Sequence, residues 1–104
     1  FKLDSVITGL NKIEGLPGLT ISEIKGFGKS KAKYAKDKIS EGLHEFVPRI
    51  KIELVVYNSI VDEVIDVIQR TAHTGNPGDG KIFVAEVVNV VKIRTNDERG
   101  EEAI

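Results

Sequence analysis

The sequence predicts an α+β fold of the ferredoxin-like kind, and three observations carry that reading. Two segments, residues 3–13 and 60–68, repeat apolar side chains at helical spacing. Runs rich in β-branched residues accompany them. Two of those runs are joined by a long lysine-rich excursion instead of a helix. The order is therefore helix, strand, excursion, strand, helix, strand, short strand, a split βαβ unit with its first strand absent. A complete βαββαβ sheet places one more strand ahead of the first helix. Only Phe1 and Lys2 stand there, so the sequence is either truncated or the domain is incomplete as given.

Each element has its own local signal. Leu3, Val6, Ile7, Leu10 and Ile13 form the apolar stripe of the first helix, with Asp4 or Ser5 as its cap and Gly15 as its end. Gly15-Leu16-Pro17-Gly18 is a tight connection. Leu19 to Lys25 predicts a strand that stops at Gly26-Phe27-Gly28. The excursion from Lys29 to Val47 has no clean period and holds Lys29, Lys31, Lys33, Lys36 and Lys38; Pro48 ends it. Arg49 to Tyr57 then alternates, with Ile50, Ile52, Leu54 and Val56 facing one way. Ser59 is placed to cap a second helix with apolar positions Ile60, Val61, Val64, Ile65 and Ile68, and Gly75 terminates it. Lys81 to Val87 predicts a strand and Asn89 to Arg94 a shorter one. The acidic tail over 96–104 is expected to be mobile.

Composition narrows the function. The chain has 104 residues, enough for a single domain, with 40% hydrophobic and 30% charged residues, as in globular proteins. Fifteen basic against 16 acidic residues leave a net charge of -1, so bulk charge does not point to nucleic acid. Cysteine is absent, which removes disulfides, thiolate zinc sites and cysteine nucleophiles and fits a reducing compartment. Methionine is absent too, so Phe1 is not expected to be the natural start. No apolar run approaches the roughly 18 residues that span a bilayer.

The chemistry concentrates in Gly75-Asn76-Pro77-Gly78-Asp79-Gly80-Lys81, which fits GxxxxGK. The next position of a P-loop is Ser or Thr to hold magnesium, and here it is Ile82. A P-loop also leaves a strand and opens a helix, whereas this one leaves a helix. The P-loop NTPase reading fails on both counts. Anion chemistry survives that failure: Gly78 and Gly80 let the backbone approach an anion, and Lys81 adds a point charge suited to phosphate. A plain glycine-rich turn with an exposed lysine is the bland alternative. Lys92 and Arg94, two apart on the last predicted strand, and Gly26-Phe27-Gly28-Lys29 add two further basic sites. Three such sites suggest a nucleotide with several phosphates; scattered surface lysines are the competing explanation. His44 and His73 have no partner at metal-ligand spacing, and His73 reads as a cation near a helix C-terminus. No metal site is expected. No nucleophile, base and orienting acid can be assembled, so no catalytic residues are assigned.

At these residues the chain resembles the PII signal-transduction (nitrogen regulatory) family. The matching stretches are FKLD at Phe1, KGFGK around Gly26, PRIKIELVV from Pro48, TGNPGDGKIFV from Thr74 and KIRT from Lys92, in matching order and spacing. The resemblance implies a ferredoxin-like subunit, over 1–104, whose missing first strand lies upstream of Phe1, assembled as a homotrimer. It implies ATP or ADP in clefts between subunits and a long T-loop, residues 29–47, that docks on a partner. On one side the cleft would use Thr20, Gly28, Lys29 and Ser30; Val55, Gly78, Asp79, Gly80 and Lys81 would continue it. Lys92, Ile93 and Arg94 would come from the neighbouring subunit. Lys29 and Lys92 replace arginines common in the family, keeping charge but losing the bidentate fork.

The departures bear on signalling. Ser30 stands where the family has a glutamine that helps hold magnesium and 2-oxoglutarate, and Arg49 where it has a lysine contacting 2-oxoglutarate. The resemblance therefore extends to ATP or ADP more firmly than to magnesium or 2-oxoglutarate. The modified tyrosine of proteobacterial members falls on Gly42, which excludes uridylylation there; Ser40 lacks the arginine flanking a phosphorylated serine. The expected function is a cytoplasmic regulator, not an enzyme and not membrane-embedded, that controls a target through its T-loop. That target is a membrane transporter or a nitrogen-metabolism enzyme. The alternatives are a regulator of a metal or other ion transporter without 2-oxoglutarate sensing, and a slow nucleotide-hydrolysing enzyme. A nucleic-acid module built on the lysine run is disfavoured, because Tyr34 is the excursion's single aromatic.

Overall fold

A computed structural model describes residues 2–27, 46–94 and 100–104. They fall into two compact units, Phe1–Gly18 with Leu54–Ile104, and Leu19–Glu53.

The first unit is built on two helices. Helix α1 spans Leu3–Asn11. Its cap is Lys2 in extended conformation, with no side-chain capping bond; the ladder starts where the Val6 N–H donates to the Lys2 carbonyl at 3.1 Å. Asp4 and Ser5 therefore do not cap the helix: both already lie inside it, where Asp4 only complements the positive end of the dipole. The end is tightened by Lys12 N–H to Gly9 O and Ile13 N–H to Leu10 O, and Gly15 adopts φ +83°, open only to glycine at low cost. Helix α2 spans Val61–Ala72, preceded by a 3-10 turn over Asn58–Ile60. Ser59 sits within that turn, so the cap passes to Ile60 and no side chain closes it.

The core of this unit is Val6, Leu10 and Ile13 against Val64 and Val67. The helices meet closely at Gly9. A Cβ there would lie 3.0 Å from both Val67 Cγ1 and Thr71 Cγ2. The Thr71 hydroxyl donates to the Val67 carbonyl one turn back at 2.7 Å, which satisfies it within α2 and leaves the methyl for the interface.

The second unit is an antiparallel pair. Strand β1, Thr20–Gly26, pairs with β2, Val47–Glu53, in a register running from Thr20 opposite Glu53 to Gly26 opposite Val47. Ile21 faces Ile52 and Glu23 faces Ile50. Pro48 lies inside the ladder, opposite Lys25, so it does not mark the boundary of the excursion. The excursion closes one residue before Val47, at Phe46. The Phe27 and Phe46 rings, with centroids 6.2 Å apart and planes at 57°, sit just beyond the last pair.

Two expected strands are not formed among the described residues. Residues 81–87 and 89–94 form no ladder among the described residues, and Val91 takes part in a single isolated bridge. β-branched composition favours an extended chain, but a strand needs an edge to pair with, and among the described residues β1 and β2 pair only with each other. Residues 81–89 are exposed throughout, with Phe83 at 88% and Val88 at 97%. In the C-terminal tail, Gly100–Ala103 forms a 3-10 turn, and the Gly100 N–H donates to the Val90 carbonyl at 2.9 Å.

Candidate functional site

The glycine loop hangs from the end of α2. His73 leaves the helix in extended conformation, at φ -65° and ψ 126°, and Gly75 turns the chain at φ +83°. The next residues fold back on themselves because Asp79 supplies acceptors for the start of the loop. Its Oδ2 accepts the N–H of Thr74 at 2.8 Å and that of Gly75 at 2.9 Å. Its Oδ1 accepts the Thr74 hydroxyl. The Thr74 Oγ1 in turn accepts the Asn76 N–H at 3.2 Å, and the Asp79 N–H donates to the Asn76 carbonyl at 3.2 Å. His73 Nδ1 stands 3.7 Å from Oδ2.

These donors favour the ionised carboxylate. The Thr74 hydroxyl contributes most to holding Asp79 below the usual aspartate range, followed by the Thr74 N–H; partial burial opposes them, and the Gly75 N–H and His73 add to the lowering.

The outer side of the loop stays open. A Cβ at Gly78 would meet nothing within 4 Å, and Gly80 holds φ +95°. Lys81 follows at once and is exposed. The loop thus presents backbone and one cation outward while its acid is turned inward. It leaves a helix and runs into an exposed stretch that is not helical, so the structure also denies the P-loop context.

The sequence-predicted residues fall on several elements. Gly78, Asp79, Gly80 and Lys81 share this loop. Lys92, Ile93 and Arg94 lie further along the same unit; Arg94 closes the described stretch in a turn, so Lys92 and Arg94 do not share a strand face. Val55 follows β2 and is 43% exposed. Thr20 starts β1, in the other unit. Gly28, Lys29, Ser30 and the T-loop up to residue 45 lie outside the described residues.

Sequence reasoning missed Thr74 and His73 as parts of the loop. The available signal was a hydroxyl five residues before an aspartate, flanking two glycines. Arg49, in the second unit, runs across Gly26: a Cβ on that glycine would collide with Arg49 Nε and lie 2.7 Å from Cδ. Among the described residues no cluster of three His, Cys, Asp or Glu residues could hold a metal ion.

Known proteins are similar to this chain in sequence and architecture. A profile of the family described as nitrogen regulatory protein P-II matches residues 1–97. The nitrogen regulatory protein P-II of Klebsiella oxytoca is 47% identical over 98 residues, covering 94% of this chain and 87% of its own length. That of Azospirillum brasilense is 45% identical over 101 residues, covering 97% and 89%. The crystal structure of Arabidopsis thaliana PII bound to citrate superposes with a TM-score of 0.75 at 39% identity, covering 98% of this chain and 80% of that one. The fold is accordingly the ferredoxin-like α+β fold of that structure.

Proposed function

The chain belongs to the nitrogen regulatory protein P-II family, and from that premise we propose that it is a signal-transducing regulator gated by ATP or ADP. The nucleotide binds in clefts between the subunits of a homotrimer, and the T-loop carries its state to a target protein. The observation that carries the reading is the Thr74–Lys81 loop. Its acid is consumed internally, while Gly78, Gly80 and Lys81 are left to face phosphate.

Further features support parts of this reading. Phe83, Val88 and Ile93 are 88%, 97% and 95% exposed; apolar side chains presented so fully in one stretch suit burial against other subunits. The pairing of Gly26 with Val47 and the Phe27–Phe46 contact hold the ends of the excursion together, as a docking loop requires. The Arabidopsis relative was solved with citrate, in keeping with small-molecule binding. Among the described residues no helix is long and apolar enough to cross a membrane. We place the protein in the cytoplasm, acting on a membrane transporter or a nitrogen-metabolism enzyme. A regulator is favoured over a slow hydrolase because the one carboxylate in the loop is engaged in loop hydrogen bonds, not poised to activate water.

Calorimetry with ATP and ADP tests the proposal. Lys81→Ala removes one charged phosphate contact and is expected to cost about 1.5–3 kcal/mol, roughly tenfold or more in affinity. Equal affinity in the wild type and this variant would remove the site.

A further inference from the structure

We propose that Asp79 is a positioning residue that shapes the phosphate loop through Thr74, and that its carboxylate does not itself contact the nucleotide. The inference rests on the nucleotide-binding reading of the loop.

Three donors converge on the Asp79 carboxylate: the Thr74 N–H at 2.8 Å, the Gly75 N–H at 2.9 Å and the Thr74 hydroxyl. A fourth group, His73 Nδ1, stands at 3.7 Å. All four belong to the end of α2 and the first two loop residues. The bonds close the loop across five residues, between the helix end and the glycines that follow Asn76. The Thr74 hydroxyl is used twice, donating to Asp79 and accepting from the Asn76 N–H at 3.2 Å. It therefore ties both limbs of the turn to one side chain.

Electrostatics points the same way. A carboxylate facing phosphate would repel it, so an aspartate between two phosphate-facing glycines needs another use. Its engagement by the Thr74 and Gly75 donors turns its charge away from Gly78 and Gly80. The conformational entropy of the loop is then lost during folding and not at ligand binding, which raises affinity by preorganisation. Gly75, at φ +83°, supplies the turn that brings Thr74 and Asp79 together.

The sign of one substitution separates this role from mere proximity. Asp79→Asn removes a negative charge but cannot accept all three hydrogen bonds. A carboxylate lying beside phosphate would, once neutralised, give tighter ADP binding. A positioning carboxylate gives weaker binding, by about fivefold or more. The experiment is ADP calorimetry without magnesium, so that a metal-bridging role leaves no signal, on wild type, Asp79→Asn, Thr74→Val, Thr74→Ser and Lys81→Ala. Amide NMR of Thr74 and Gly75 accompanies it.

Asp79→Asn and Thr74→Val are expected to weaken ADP binding and to shift both amides towards non-hydrogen-bonded positions. Thr74→Ser, which restores the hydroxyl, recovers affinity to within about twofold. Unchanged or tighter binding in Asp79→Asn, with Lys81→Ala impaired, overturns the positioning role alone. Failure of the wild type to bind ADP, or equal binding by wild type and Lys81→Ala, overturns the nucleotide reading and this inference together.

Discussion

Gly9 on α1 faces Val67 on α2 so closely that a side chain there would be tight. A Cβ on Gly9 would stand 3.0 Å from Val67 Cγ1, and equally close to the Thr71 methyl. A mid-helix glycine gives up about 1 kcal/mol of helix propensity relative to alanine, and close helix contact is what it obtains in return. Overpacking a tight contact costs about 1–3 kcal/mol. Gly9→Ala is therefore expected to be destabilising by about 1 kcal/mol net of the propensity gain, and Gly9→Leu by about 3 kcal/mol or more. Urea denaturation measures both, and a stabilised Gly9→Ala would show that the helices can separate freely.

Leu10 and Val6 are fully buried, at 0% exposure. Truncating Leu10 removes three carbons from the centre of a two-helix core that is too small to close over the gap. Leu10→Ala is expected to cost about 2–5 kcal/mol in the same experiment. A loss below 1 kcal/mol would mean that the stripe is not the core.

The hydrogen bonds to Asp79 give the loop a pH dependence of known sign. Its carboxyl titrates below the ordinary aspartate range, chiefly because of the Thr74 hydroxyl. A group whose folded value is depressed contributes stability above its unfolded value, about 3.9, and loses it as pH falls through the folded one. The Thr74 and Gly75 amides are expected to keep hydrogen-bonded NMR shifts from neutral pH down to the ordinary carboxylate range and to lose them only below it. Asp79→Asn removes the transition. Loss of those shifts already at pH values well above that range would contradict the geometry.

Much of this was legible in the sequence, and the misses have physical causes. Val6, Leu10, Ile13 and Val64 follow from helical spacing, because a stripe repeating every three to four residues has one face to bury. Val67 was missed in favour of Ile65 and Ile68, which are only half-buried. The choice between them is made by Gly9, a residue on the other helix whose missing side chain admits Val67. The strand expected over 81–87 rested on composition, which specifies an extended backbone but not a partner. Asp79 stands in GDGK and is expected among the cleft residues; that its carboxylate bonds to Thr74, five residues earlier, was not read from the sequence, because the pairing depends on how the chain turns at Gly75. Gly28, Lys29 and Ser30 lie outside the described residues, so that side of the cleft rests on the resemblance.

Arg49 and Ser30 set an expectation for 2-oxoglutarate. The resemblance sets Ser30 at the position of a longer glutamine in the family, and the Arg49 side chain lies along Gly26. ATP affinity is expected to change by less than about twofold, about 0.4 kcal/mol, when 2-oxoglutarate and magnesium are added. A tenfold gain would restore 2-oxoglutarate sensing and turn the choice of target back towards nitrogen control.

The exposed apolar stretch makes the assembly testable without any ligand. Phe83 is 88% exposed and Val88 97%, and burying such a side chain is worth about 1.5–3 kcal/mol. Repeated at several equivalent contacts, that gain would offset the cost of association in the proposed trimer. Light scattering on the wild type is expected to return the mass of three 11.4 kDa chains. Phe83→Glu places a charge where the apolar ring would be buried, and its desolvation outweighs what the ring contributed. The variant is expected to shift the mass towards the monomer while α1 and α2 keep their circular dichroism signal. Because the nucleotide cleft is proposed to lie between subunits, ADP affinity should fall with the loss of assembly, although Phe83 is not among the proposed ligand contacts. A variant that stays trimeric would move the interface elsewhere, and a wild type that is monomeric at all concentrations would remove the trimer from the proposed mechanism.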